Sequence, residues 1–123
     1  MDNLKIAAGK TTPGVSFESR KGELSIVGES YPENSVEFFK PLLDWLDEYL
    51  ENNPKFTLTF KMIYFNTSSS KFIYNIIDTV DKYYRSGGNV KIVWYYEADD
   101  EDIQENGEEL AEGLKVPFEI KEL

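Results

Sequence analysis

Four consecutive hydroxyl side chains, Thr67, Ser68, Ser69 and Ser70, stand between Asn66 and Lys71 in the segment YFNTSSSKF. Such a run can accept a phosphoryl group, cap a helix, or hold an anion together with backbone amides. One cap uses one side chain, so the run carries more hydroxyls than capping requires. The chain has no His and no Cys. Ser-His and Cys-His nucleophilic pairs, imidazole and thiolate metal sites, disulfides and phosphohistidine relays are therefore excluded. Asn66-Thr67-Ser68 also fits the glycosylation sequon, which has meaning only behind a secretory signal. In the N-terminal stretch MDNLKIAAGKTTPG, the apolar run Ile6 to Ala8 falls far short of a signal-peptide core.

Carboxylates are the other abundant reactive group. Nine of them, with no Lys or Arg, lie between Glu97 and Glu112. A calcium loop read from Asp102 places Gln104, Asn106 and Gly107 acceptably but puts Gly113 where the bidentate Glu belongs, so the match fails. A solvated helix face that attracts basic partners is the better reading. No carboxylate pair is marked as convergent, and no catalytic residue is assigned.

Two further segments could make contacts. SYPENS, residues 30–35, offers the ring of Tyr31, the rigid Pro32, the charge of Glu33 and the amide of Asn34 to a partner. The same residues also read as a helix entry capped by Asn34 or Ser30. VWYYE, residues 93–97, sets Trp94 on the buried face with Val90 and Ile92. Tyr95 then shares the other face with Lys91 and Val93, a face open to cover by a helix.

The elements that must position these groups follow from periodicity. VSF and ELSIV flank ESRKG as a hairpin whose turn uses Gly22. Val36, Phe39, Leu43, Leu46 and Leu50 recur at helical spacing, with Pro41 predicting a kink or break near 37–40. KFTLTFKMIYF alternates as a strand, and Ile63 and Phe65 opposite its main apolar row predict an end buried on both sides. Phe72 to Tyr84 makes a second amphipathic helix, stopped by Gly87-Gly88. NVKIVWYYE is the next strand, an acidic helix carried by Ile103, Leu110 and Leu114 follows, and VPFEI is the last strand. The expected order is β-β-α-β-α-β-α-β, a mixed sheet of about five strands with parallel central strands and about three helices. Residues 1–12 are expected to be loosely held. In such α/β sheets function gathers beyond the carboxyl ends of the strands, where the hydroxyl run lies.

At 123 residues with 41% hydrophobic content, the chain suits a single domain with its own core over 1–123. Its formal charge of -10, without a basic stripe, argues against nucleic-acid and anionic-membrane partners. No apolar run reaches membrane-span length, so a cytoplasmic setting is expected.

FKMIYFNTSSSKFIYNIIDTV resembles the switch segment of STAS domains in anti-sigma-factor antagonists, whose turn reads Asp-Ser-Ser/Thr-Gly and is phosphorylated on its first hydroxyl. Thr67 stands at that hydroxyl, Asn66 at the Asp and Ser69 at the Gly. The combination of GESYPENSVEFFKPLLDWL, YFNTSSSKF and VWYYEADDEDIQENGEELAE is similar to the SiaC family of bacterial regulatory phosphoproteins, over about Thr12 to Ile120. That family is STAS-like and keeps Asn-Thr-Ser-Ser at the turn. The resemblance implies a non-enzymatic, partner-switching protein. Thr67 would be phosphorylated by a Ser/Thr kinase of the histidine-kinase-like ATPase type and dephosphorylated by a PP2C-type phosphatase. The unphosphorylated form would bind a signalling effector, in some members a diguanylate cyclase. Asn66, Ser68, Ser69 and Lys71 would support the switch, Ser68 and Ser69 as caps or anion-holding groups and Lys71 by neutralising added charge. The residues alone also permit a small-molecule or anion-binding domain, or an acidic adaptor in which Thr67 is only a cap. No cofactor is implied.

Overall fold

The computed structural model describes all of residues 1–123. Nine elements follow one another: β1 (Leu4–Ile6), β2 (Gly14–Glu18), β3 (Glu23–Ser30), α1 (Ser35–Leu50), β4 (Lys55–Phe65), α2 (Thr67–Arg85), β5 (Asn89–Tyr96), α3 (Glu101–Ala111) and β6 (Phe118–Glu122). One sheet holds all six strands in the order of the chain. The β1-β2-β3 meander is antiparallel, and β3 through β6 are parallel. The β2-β3 hairpin closes at Gly22, whose φ of +65° is the left-handed conformation expected of it.

The sheet has one strand more than the alternation predicted. Leu4–Ile6 pairs with Val15–Phe17 inside the stretch expected to be loosely held. Three residues are too few to carry a readable period; pairing with β2 makes the strand, and Trp45 Nε1 donates to the Asp2 carbonyl at 2.9 Å beside it.

Parallel strands in consecutive order send each crossover helix to the same face. The alternate residues Leu24, Ile26, Leu58, Phe60, Ile92 and Trp94 face that layer and form one core with Phe39, Leu42 and Leu46 of α1 and Ile73, Ile76, Ile77 and Val80 of α2. Phe39 stacks on Phe72 with centroids 5.2 Å apart, joining the two helices. Trp94 is fully buried, donates from Nε1 to the Ile103 carbonyl at 2.9 Å, and so ties α3 to the sheet. The opposite face of the sheet carries no helix.

That one-sidedness overturns two expectations. The end of β4 is not buried on both sides: Ile63 is 57% and Tyr64 52% exposed. No helix covers Tyr95, Lys91 and Val93. Pro41 also lies inside an unbroken α1, on its exposed side, where water can serve the carbonyl that loses its partner. No helix is long and apolar enough to cross a membrane.

Candidate functional site

Because β3, β4 and β5 run parallel, the N-termini of α1, α2 and α3 gather along one edge of the sheet. Each is capped by the side chain just before it. Asn34 accepts from the Glu37 amide, Asn66 from the Ser69 amide at 2.9 Å, and Asp100 from the Ile103 amide. The first turns then differ: α1 has Glu37 and α3 has Glu101 and Asp102, but α2 has no acidic residue. The positive end of the α2 dipole is thus uncompensated, and the Thr67 and Ser68 amides have no partner within the helix.

The hydroxyls of α2 divide their work. Ser69 is fully buried and exchanges a 2.8 Å hydrogen bond with Ser30 at the end of β3. Ser68 is 2.7 Å from the hydroxyl of Ser35 in the first turn of α1 and donates to Asn66 Oδ1 at 3.2 Å. These two serine pairs fasten the start of α2 to β3 and to α1. Thr67 is exposed, and its hydroxyl makes no hydrogen bond within the chain. The expectation that Ser68 or Ser69 caps the helix is corrected: Asn66 is the cap, since its side-chain oxygen reaches the third amide of the turn.

A bulge brings this turn into place. β3 and β4 pair residue for residue to Gly28 opposite Met62, after which Glu29 faces Tyr64 and Ser30 faces Phe65. Ile63 is the extra residue, so the alternation changes phase and Phe65 points to the core, where its ring meets Trp94 edge-on at 6.0 Å. Asn66 follows, its amide held by the Ser30 carbonyl at 3.0 Å.

The surface around Thr67 is apolar for an acidic chain. Tyr31 and Tyr64 meet edge-on with centroids 5.9 Å apart. Val36, in the first turn of α1, is 60% exposed, and Tyr74 is 53% exposed. Tyr74 shares an outward stripe of α2 with Thr67 and Lys71, at spacings of seven and three residues. Lys71 is exposed and enters no ion pair. Of SYPENS, Tyr31, Glu33 and Asn34 reach the surface and Pro32 is largely buried between them. Asn34 has its side-chain oxygen occupied as the α1 cap. Sequence reasoning read Ser30 as a possible cap, put Val36 on the apolar stripe of α1 and took Ile63 as buried, and it missed Ser35 and Tyr74; the partners of Ser30 and Ser35 lie 39 and 33 residues away. Tyr74 had a signal in its seven-residue offset from Thr67; the others depend on topology.

The acidic α3 keeps Ile103 and Gly107 buried and its carboxylates outward, and no group of three or more of them could hold a metal ion.

Known proteins share this arrangement. Residues 6–123 match the sequence profile of the SiaC family regulatory phosphoproteins. An uncharacterized protein of Pseudomonas aeruginosa (strain UCBPP-PA14) is 34% identical over 98% of this chain and 97% of its own length. The crystal structure of apo-SiaC from Pseudomonas aeruginosa superposes with a TM-score of 0.91 at 34% identity, covering 98% of this chain and 99% of that one. SiaC in the crystal structure of the diguanylate cyclase SiaD with its activator SiaC, from the same organism, gives 0.94 at 33% identity over 98% and 99% of the two chains. A match over nearly the full length, in sequence and in backbone alike, makes this chain a member of the SiaC family of regulatory phosphoproteins.

Proposed function

We propose that this protein is a non-enzymatic, cytoplasmic regulatory phosphoprotein whose switch is Thr67. A Ser/Thr kinase of the histidine-kinase-like ATPase type adds the phosphate, a PP2C-type phosphatase removes it, and the unmodified form binds and regulates a diguanylate cyclase. The chain is a single domain related to the STAS antagonists, with the switch on the same strand-to-helix turn.

One observation carries this reading: Thr67 is an exposed hydroxyl with no internal partner, on the one helix N-terminus of this edge that lacks a carboxylate. The environment favours an anion there. A phosphothreonine brings about 1.5 to 2 negative charges, which the α2 dipole, two unclaimed amides and Lys71 can stabilise without disturbing the Ser68 and Ser69 pairs. The same charge is costly in an interface built on Val36, Ile63, Tyr64 and Tyr74. An uncompensated interfacial charge costs about 2 to 5 kcal/mol, or about thirtyfold or more in affinity. Phosphorylation would therefore release the cyclase while leaving the fold intact. The SiaC–SiaD complex supports a cyclase as the class of partner.

The test joins site mapping to binding. After incubation with the cognate kinase and ATP, peptide mass spectrometry should find phosphate on Thr67. Isothermal titration with the cyclase should show Thr67→Ala binding like the parent and Thr67→Glu weakened about thirtyfold or more. Phosphate confined to another hydroxyl, or equal affinity of the Ala and Glu variants, would refute the assignment.

A further inference from the structure

The helix-free face of the sheet is the largest feature that the switch leaves unused. Parallel strands are ordinarily covered on both faces, yet β3 to β6 are covered on one. The register arranges this face in three rows across the strands. The first runs Glu18, Glu23, Thr57, Lys91. The second runs Lys5, Ser16, Ser25, Thr59, Val93, Glu119. The third runs Gly14, Val27, Lys61, Tyr95, Lys121.

Charge is distributed unevenly along the rows. Glu18 and Glu23 are direct cross-strand partners, a pairing of like charges that costs stability. Glu18 is relieved by ion pairs to Lys5 and Lys21, but Glu23 has none. On the other side Lys91 has no ion pair either, Lys121 pairs with Glu119 at 3.2 Å, and Lys61 lies over the Tyr95 ring at 5.1 Å. Apart from Lys5 on β1 and Glu119 on β6, the acid of this face lies on β2 and β3 and the base on β4 to β6.

We infer that this face binds a second copy of the chain, sheet against sheet, about a two-fold axis that runs along the strands between β3 and β4. The rotation keeps each row opposite itself and reverses the strand order. Lys91 of one copy then faces the Glu18 and Glu23 pair of the other, while Lys5, already paired with Glu18, lies opposite Glu119, already paired with Lys121. Lys61 meets Val27, and the Tyr95 ring meets Gly14, a large side chain over a bare backbone. The middle row, mostly Ser, Thr and Val, is small enough for close approach. No like charges oppose one another. An axis across the strands would instead set the third row against the first and lay each strand over itself in the middle row, with Lys5 over Lys5 and Glu119 over Glu119, and it forms no pair of opposite charges.

Six strands about 4.8 Å apart and five residues at about 3.3 Å give a footprint of roughly 25 by 17 Å. That is the low end for a specific interface, the size class of weak and transient association. Strand direction is preserved by this axis, so both Thr67 turns emerge at the same end of the dimer. A two-fold symmetric partner could engage both at once and gain avidity from the second contact.

Sedimentation equilibrium of the purified chain from about 1 to 500 μM tests the inference without kinase or cyclase, and hence independently of the switch. Glu23 and Lys91 are exposed and make no internal ion pair, so reversing either should leave the fold intact. Glu23→Lys and Lys91→Glu should each weaken self-association about tenfold, a change of about 1.4 kcal/mol. An equimolar mixture of the two variants should restore it, because the two reversed charges then face each other across the heterodimer, and the two parental ones do likewise. A parent chain that stays monomeric to about 500 μM, single variants that dimerise like the parent, or a mixture that fails to recover would each overturn it.

Discussion

Replacing Gly107 by Ala tests how firmly α3 is seated. Judged by helix propensity alone, the change should stabilise the helix by about 1 kcal/mol. The packing opposes it. A Cβ at Gly107 would stand 2.7 Å from Trp94 Nε1 and closer still to the indole Cδ1. Contacts this short cannot persist, so the ring or the helix must move. The ring is held: Trp94 is fully buried, packs on Phe60 at 5.3 Å and Phe65 at 6.0 Å, and donates to Ile103 of α3. Lifting α3 stretches that hydrogen bond and exposes Ile103. Overpacking costs about 1 to 3 kcal/mol, and a buried indole donor left without its acceptor costs about 1 to 3 kcal/mol more. Set against the propensity gain, the net loss should be about 1 to 5 kcal/mol. Urea unfolding followed by tryptophan fluorescence measures it as a lower midpoint at unchanged slope. A Gly107→Ala chain as stable as the parent would show that α3 can slide over Trp94 and is not fixed by it.

Two more predictions follow from buried polar groups. Ser30→Ala strands the Ser69 hydroxyl in the core and should cost about 1 to 3 kcal/mol; adding Ser69→Ala should cost little more, so the double-mutant cycle in urea should show a coupling of at least about 0.5 kcal/mol. Asp81, 3% exposed, accepts from the Lys115 and Val116 amides at 2.8 and 2.9 Å and pairs with Arg85 at 3.0 Å. Burial pushes its carboxyl upward, but the two amides and Arg85 outweigh this and hold it below the ordinary carboxylate range. A depressed folded value means that Asp81 contributes stability above the unfolded value of about 3.9 and loses it as pH falls through the folded one. The stability gap between parent and Asp81→Asn should therefore be constant near neutral pH and narrow below about pH 4; a gap that widens in acid would contradict the ion-pair geometry.

The order of strands and helices after residue 12 was legible because each long element carries its own period. Phe56, Leu58, Phe60 and Met62 alternate without interruption, and the α2 stripe Ile73, Ile76, Ile77, Val80 repeats as a helix must. The turn at Asn66 was legible as a helix start for the same local reason. What failed was non-local. The apolar run Ile63 to Phe65 looks buried on both faces, but only consecutive strand order decides that one face has no helix. β1 is made by its partner, and Pro41 is tolerated because of the side it faces. The individual tasks of Ser68 and Ser69 were hidden likewise, since Ser35 and Ser30 lie on other elements.

The bulge at Ile63 separates two demands that a regular strand would confuse. Upstream of it, every second residue of β4 is committed to the core and can change only with its neighbours. At Ile63 and Tyr64 the chain is released from that obligation, and at Phe65 it resumes. The two positions beside the Thr67 turn can therefore vary in size and character while the core row and the helix cap stay as they are. Within a family that keeps one scaffold, this is a place where the choice of partner could drift and leave the fold unchanged.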